Sequence, residues 1–221
     1  GFKHDRVIKT GSPMKEVIDF YSPKIKKSKI LKKLRLTKNK YFLVSAHREE
    51  NISKNTSFNN FIKMMNHLAS NYNHKIVMST HPRTKKQIKK YKVKLHKNII
   101  IADPFSFTDF VNLEINSKVV LSDSGTINEE SSILNFPAIN IRESFERPEA
   151  MEEAVTMLTG FNIKLIDNAL LILESQKRAK LRTLKIVDDY NVNNVSEKVV
   201  RIILSYIDYI NSKIWMKNSN E

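Results

Sequence analysis

The chain has 221 residues, is 41% hydrophobic, and carries 38 basic against 23 acidic residues, a net charge of +15. That length holds one large domain, or one domain with an appendage. It contains no cysteine, which excludes a disulfide framework and a thiolate metal site and fits a reducing cytoplasm.

No apolar run approaches the roughly 18 residues of a membrane span. The opening GFKHDRVIKTG has no apolar core of a signal peptide and no initiating Met, so a piece of a longer protein is expected. In TGSPMKEVIDFY, Ser12 suits a helix N-cap and Pro13 the first helical position. Lysines bunch in KIKKSKILKK (24–33) and again in KKQIKKYKVKLHK (85–97). Basic charge of this kind attracts nucleic acid, an anionic membrane or a phosphorylated small molecule. Neither run interleaves aromatics for base stacking, so solvated helix faces are expected and no nucleic-acid partner.

Apolar runs alternate with amphipathic segments along the middle of the chain. YFLVSA (41–46) reads as a buried strand, followed by Phe58, Phe61, Ile62, Met65 and Leu68 at helical spacing. KIVMST (75–80) is a second strand, before a Lys-rich helix from about Thr84. NIIIAD (98–103) is a third, leading to a helix with Phe107, Phe110, Val111 and Leu113. KVVLSD (118–123) is a fourth and opens a helix from Thr126; PAINIR (137–142) and AVTML (154–158) are the fifth and sixth. Wholly apolar strands, each followed by a helix, predict an α/β domain with a doubly wound parallel sheet. The closing VSEKVVRIILSYIDYINSKIWMK predicts a long helix. Its stripe of Val199, Ile202, Ile203, Tyr206, Ile210, Ile214 and Trp215 is wider than one sheet face needs, and points either to a second domain or to this one.

Ligands of such domains bind beyond the carboxyl ends of the strands. Those ends carry His47, Arg48, Glu49 and Glu50 after the first strand, and His81 and Arg83 after the second. Asp123, Ser124, Gly125 and Thr126 follow the fourth, and Arg142, Arg147 and Glu149 the fifth. Around Gly125, a strand turns into a helix and aims free amides at the rim, the arrangement that binds phosphate. The Ser124 and Thr126 hydroxyls either cap that helix or meet a phosphate oxygen. Of Glu129 and Glu130, one accepts from ribose hydroxyls, and the other faces solvent or pairs with a lysine. His47 serves as proton donor or diphosphate contact. Arg147 either clamps a phosphate or pairs with Glu146 or Glu149. No HExxH, EF-hand, P-loop or GxGxxG pattern is present, so neither a metal nor a nucleotide cofactor is expected.

AHREEN, THPR and LSDSGTINEESSILNFPAINIRESFERPEA together resemble the non-hydrolysing UDP-N-acetylglucosamine 2-epimerases, over nearly the whole chain. SAHREENI, SSILNFPAI and VVRIILSYIDYINSKIW look most like the capsule and O-antigen branch that forms UDP-N-acetyl-L-fucosamine. The resemblance implies the C-terminal half of a two-domain glycosyltransferase-B-like fold, dimeric when full length. Residues 1–20 would be an interdomain connector, 21–195 the UDP-binding domain, and 196–221 a crossover helix returning to the absent N-terminal domain. It implies that His47 is the essential histidine beside the diphosphate, and that Ser124, Gly125 and Thr126 cradle the phosphates. Glu130 would bind ribose and Arg147 would lie near the phosphates, with Arg48 and His81 also on the nucleotide. Uracil would lie near residues 104–107, at Phe105. The family reaction eliminates UDP to a 2-acetamidoglycal and re-adds it with C2 inverted, without metal or nicotinamide. Two departures stand out: Thr126 replaces a second glycine, and DYNVNN (189–194) replaces a glycine-containing segment. A retaining glycosyltransferase of the same architecture, or a UDP-binding fragment without activity, are the alternatives.

Overall fold

The computed structural model describes residues 7–46, 55–80, 82–142, 144 and 146–217. Six strands form one sheet: β1 (Tyr41–Ser45), β2 (Lys75–Ser79), β3 (Ile99–Ala102), β4 (Val119–Ser122), β5 (Ala138–Asn140) and β6 (Met157–Leu158). Their order is β3-β2-β1-β4-β5-β6, and each neighbouring pair is parallel. The expected doubly wound α/β architecture is therefore present. The sixth strand is shorter than AVTML suggested, because Ala154 adopts φ +48° and turns the chain before it.

The helices are α1 (Met14–Lys27), α2 (Ile30–Lys33), α3 (Asn55–Asn71), α4 (Pro82–Lys90), α5 (Phe107–Asn116), α6 (Ile127–Leu134), α7 (Ile163–Glu174) and α8 (Val195–Tyr209). Strand side chains alternate between two cores, as the period of two requires. Phe42, Val44, Val119 and Leu121 join Phe58, Phe61, Leu68, Ile88, Ile166 and Leu170 under α3, α4 and α7. Tyr41, Leu43 and Val120 join Ile30, Leu113 and Ile127 under α2, α5 and α6. Tyr41 through Val44 are wholly buried, which explains why β1 reads as an unbroken apolar run.

At the start of α1, Pro13 occupies the cap position itself and Ser12 precedes it, one place earlier than expected for both. The Ser12 hydroxyl still accepts from the Met14 amide at 3.1 Å. Gly11 has φ +89°, a backbone that disfavours side chains, and a Cβ there would meet Val192 Cγ2 at 2.7 Å. The Ser12 amide donates to the Asp189 carbonyl at 2.8 Å. Gly11 and Ser12 are thus packed on the segment 189–192.

The end of α6 is closed by side chains from the stretch after α7. Asn135 takes a left-handed conformation (φ 56°), and its amide donates to the carbonyls of Ala179 at 3.0 Å and Leu181 at 2.6 Å. Arg182 donates to the carbonyls of Ser132 and Ile133 at 2.8 and 2.7 Å, satisfying the last turn. Helix α8 continues through one π turn, Ile210–Ile214. It touches the body at its start, where the Ser196 amide meets the Glu16 carboxylate and Lys198 Nζ reaches the Thr10 carbonyl. Beyond Val195 its apolar residues stay unburied, Ile203 and Leu204 at 56% and 71% exposure.

Replacing Asn135 by Ala should lower unfolding stability by about 2–3 kcal/mol, from two lost hydrogen bonds and a strained φ. Asn135→Gly should cost less, because only the hydrogen bonds are lost. Denaturant melts of the two variants check this; an Ala variant as stable as the parent would contradict it.

Candidate functional site

The sheet order reverses between β1 and β4: β1 leads to β2 on one side, and β4 leads to β5 on the other. A crevice must open between the two crossovers at their carboxyl ends. The chain on the β4 side of that crevice is SDSGT. The Asp123 amide donates to the Ser45 carbonyl at 3.1 Å, carrying the β1 pairing one residue beyond the strand. The backbone then turns into α6.

Hydroxyls shape the turn in sequence. Ser122 Oγ accepts from the Ser124 amide at 3.1 Å, and Ser124 Oγ accepts from the Thr126 amide at 3.3 Å. Ser124 and Thr126 hydroxyls lie 2.9 Å apart. These are local side-chain turns of the type Ser and Thr favour. Thr126 holds the N-cap position but makes no side-chain cap bond. Its hydroxyl donates to Glu130 Oε2 at 3.3 Å instead. The first-turn amides of Ile127, Asn128 and Glu129 have no intrahelical acceptor, as at any helix start, and carry the positive end of the helix dipole. At Gly125 an added Cβ would lie 2.9 Å from Glu146 Oε2 and 4.0 Å from Arg147 Nε. The bare backbone lets residues 146–147 close over the turn.

Arg147 enters from the loop after β5, where Pro148 begins a 3-10 turn, Pro148–Met151. Its guanidinium lies 3.8 Å from Glu129 and 3.8 Å from Glu149. Both pairs are long, and Arg147 is 39% exposed, so neither holds it tightly. Of the two partners expected for Arg147, Glu149 is found beside it; Glu146 pairs with Arg142. Glu149 also accepts from the Tyr190 hydroxyl at 2.9 Å, and burial with this carboxylate pushes the Tyr190 phenol up. Glu129 is buried, so it neither faces solvent nor pairs with a lysine as expected. It accepts from Ser12 Oγ at 2.5 Å and faces Arg147. Thr10, Gly11, Ser12, Pro13, Glu129, Arg147, Glu149, Asp189 and Tyr190 enclose a cavity of about 280 Å³. A larger one, about 630 Å³, lies further along the rim between Asn60, Arg142 and residues 158–165.

Ser124, Gly125, Thr126, Glu130 and Arg147 therefore converge. Phe105 lies beyond β3, three strand spacings from β4, or roughly 14 Å. It is half-buried against the core beneath α5. His47, Arg48 and His81 lie outside the described residues, as do Glu49 and Glu50. Arg83 is exposed in the first turn of α4, which begins two residues earlier than expected. Among the described residues no cluster of His, Asp or Glu is placed to hold a metal ion, and no helix is long and apolar enough to cross a membrane.

Two residues beside the site carry no site role in the sequence reading. Ser12 reads only as a cap, yet its hydroxyl donates to Glu129. Glu114, on the apolar face of α5, is fully buried; a carboxylate within FVNLEIN was the available signal. Burial pushes the Glu130 carboxyl up to about 7, opposed by the neighbouring Glu114 carboxyl and by the hydrogen bond from Thr126. Burial and the Glu130 carboxyl hold Glu114 well above the usual carboxylate range.

A carboxyl whose native pKa is raised binds protons the unfolded chain has already released, so its contribution to stability falls as pH rises from about 4.5 to about 7. Denaturant melts across this range should fall less steeply for Glu130→Gln than for the parent, by up to about 3 kcal/mol. Parallel slopes for the two proteins would contradict the assignment.

The sequence profile of a family described as UDP-N-acetylglucosamine 2-epimerase matches residues 1–204. A UDP-N-acetylglucosamine 2-epimerase of Methanocaldococcus jannaschii is 36% identical over 142 residues, 62% of this chain and 39% of that protein. One from Campylobacter jejuni is 27% identical over 218 residues, 92% of this chain and 56% of that protein. The structure of UDP-N-acetylglucosamine 2-epimerase from Rickettsia bellii superposes with a TM-score of 0.85 at 44% identity, over 94% of this chain and 56% of that one. The M. jannaschii enzyme in complex with UDP-GlcNAc and UDP superposes with a TM-score of 0.82 at 28% identity, over 93% and 56%. The chain thus spans about half the length of the relatives it matches. By its fold, its turn and this coverage, the chain belongs to the UDP-N-acetylglucosamine 2-epimerase family.

Proposed function

We propose that this chain is the nucleotide-binding half of a UDP-N-acetyl-aminosugar C2 epimerase. The observation that carries the reading is the convergence of Arg147 and the first-turn amides of α6 on one crevice. The relative from M. jannaschii, crystallised with UDP-GlcNAc and UDP, supports the choice of nucleotide. UDP would place its diphosphate against Ser124, Gly125 and the amide of Thr126, and its ribose against Glu130. The uracil would extend toward Phe105.

In this reading the reaction removes UDP and the C2 proton to give a 2-acetamidoglycal, then re-adds UDP with C2 inverted. The departing β-phosphate gains negative charge. Preorganised amides and a guanidinium stabilise that charge where it develops. Arg147 suits the task because its two carboxylate contacts are long; a phosphate oxygen at ordinary charge-assisted distance would displace them. His47 contributes a proton or a further diphosphate contact, with Arg48 and His81 beside it. The base for C2 belongs to the other half of the enzyme, which also selects the sugar.

The same reading makes residues 1–20 the connector and 196–221 a crossover helix whose exposed Val200, Ile203, Leu204 and Ile207 dock on the absent domain. The full-length enzyme is a cytoplasmic dimer with the two-domain glycosyltransferase-B-like architecture. The fucosamine-forming branch, serving capsule or O-antigen synthesis, is favoured by Thr126 in place of glycine and by DYNVNN, which packs on Gly11 and Ser12.

Calorimetry tests the nucleotide site. Arg147→Ala should weaken UDP binding about 10- to 100-fold with little change in melting temperature. Unchanged affinity would remove Arg147 from the site. The isolated chain, given a UDP-N-acetyl-aminosugar in heavy water, should incorporate no deuterium at C2. Restoring the absent half should produce exchange without an acceptor, which a glycosyltransferase would not do. Exchange by the isolated chain would contradict the division of labour.

A further inference from the structure

Helices α5 and α6 lie over the same face of the sheet and share a core through Leu113 and Ile127. Helix side chains lean toward the N-terminus of their helix, which for both α5 and α6 is the carboxyl rim of the sheet. Glu114, in the last turn of α5, therefore reaches up the seam, where it meets Glu130 of α6. Glu114 is 0% exposed and Glu130 is 6% exposed. Neither Glu114 oxygen has a hydrogen-bond partner of ordinary geometry, yet the two carboxyls are close enough that each sets the other's ionisation.

The charged and titratable groups around the pair are few. Glu129 acts on Glu130 from the same helix, and Thr126 donates to it. From β1, Tyr41 faces Glu114. Its hydroxyl is committed to the Leu113 carbonyl at 2.6 Å. Arg178 acts on Tyr41 but is spent on Asn39 and on the carbonyls of Ser117 and Lys118. Among the described residues no cation acts on either carboxyl.

Two unpaired carboxylates cannot both stay ionised in such a place. One proton must be retained, and burial decides where. The deeper group, Glu114, keeps it; Glu130, nearer the rim and already accepting from Thr126, carries the charge once the pH passes about 7.

We propose that Glu114 is a positioning residue of the nucleotide site: its carboxylic acid supports Glu130 from beneath, with Thr126 at the side, so that the remaining acceptor positions of Glu130 face a ribose diol. This rests on the reading that the nucleotide ribose lies at Glu130. Within the seam Glu114 contributes a donor, so a carboxamide can replace it and an alkyl chain cannot. A buried alkyl chain also carries no desolvation penalty, so the fold should tolerate it.

The test compares the parent chain with Glu114→Gln and Glu114→Leu. Affinity for UDP and for 2′,3′-dideoxy-UDP is measured by calorimetry at pH about 6 and about 8, alongside thermal melts. The parent should prefer UDP over the dideoxy analogue. Glu114→Gln should keep that preference within about threefold. Glu114→Leu should melt no lower than the parent, yet lose about tenfold in UDP affinity and little for the analogue. Its loss should be larger at pH about 8, where Glu130 of the parent is ionised and needs the donor, than at pH about 6, where Glu130 already holds a proton. Unchanged UDP affinity in Glu114→Leu, equal losses in both variants, or equal losses for both ligands would each overturn the proposal. A parent chain that shows no preference for UDP would overturn the ribose assignment and this inference together. A parent that discriminates beside variants that behave identically to it would overturn this inference alone.

Discussion

The sheet is parallel throughout and buried on both faces, and the rest of the structure follows from that constraint. Each of β1 to β4 is followed by a helix that returns the chain to the opposite end of the sheet, and the two windings meet between β1 and β4. There the sheet cannot be covered at its carboxyl end. The residues that cross this gap, Ser122 to Thr126, are small and hydroxyl-bearing. Their side chains satisfy successive backbone amides of the turn, while the opening turn of α6 keeps its amides directed at the rim.

Around this gap, among the described residues, acidic side chains outnumber the cations that face them. Glu129, Glu149, Glu146, Glu130 and Glu114 all approach the turn or the helix behind it, against Arg142 and Arg147. The distribution divides the labour. Buried Arg142 pairs with Glu146, Arg147 is shared loosely, and among the described residues no cation acts on the deepest carboxyls. The loosely held guanidinium of Arg147 can exchange partners. Ser12 links the segment before α1 to Glu129, and Glu129 faces Arg147. The stretch that precedes the domain is thereby tied to the arginine at its rim.

Much of the fold was legible because its strands are short, apolar throughout and separated by helical periods. The turn was legible too, since a glycine flanked by hydroxyls between a strand and an acidic helix carries its own mechanism. The partners of the acidic residues were not. Glu129 lies 117 residues from Ser12, and nothing in NEESS tells which glutamate faces inward; packing of α6 against α1 and α5 decides it. Glu114 sits in an amphipathic stretch, among buried Val111 and Leu113, where the pattern alone does not distinguish an inward carboxylate from an outward one. The breadth of the last helix's stripe was legible, and in the structure that stripe stays exposed beyond Val195.

The central claim is that the gap between β1 and β4 receives a nucleoside diphosphate. A crystal structure of the chain soaked with UDP tests it most directly. The account predicts pyrophosphate density against the amides at the start of α6, with Arg147 turned from Glu129 and Glu149 onto a phosphate oxygen. UDP lodged elsewhere, with the turn open and Arg147 still on its carboxylates, would contradict it.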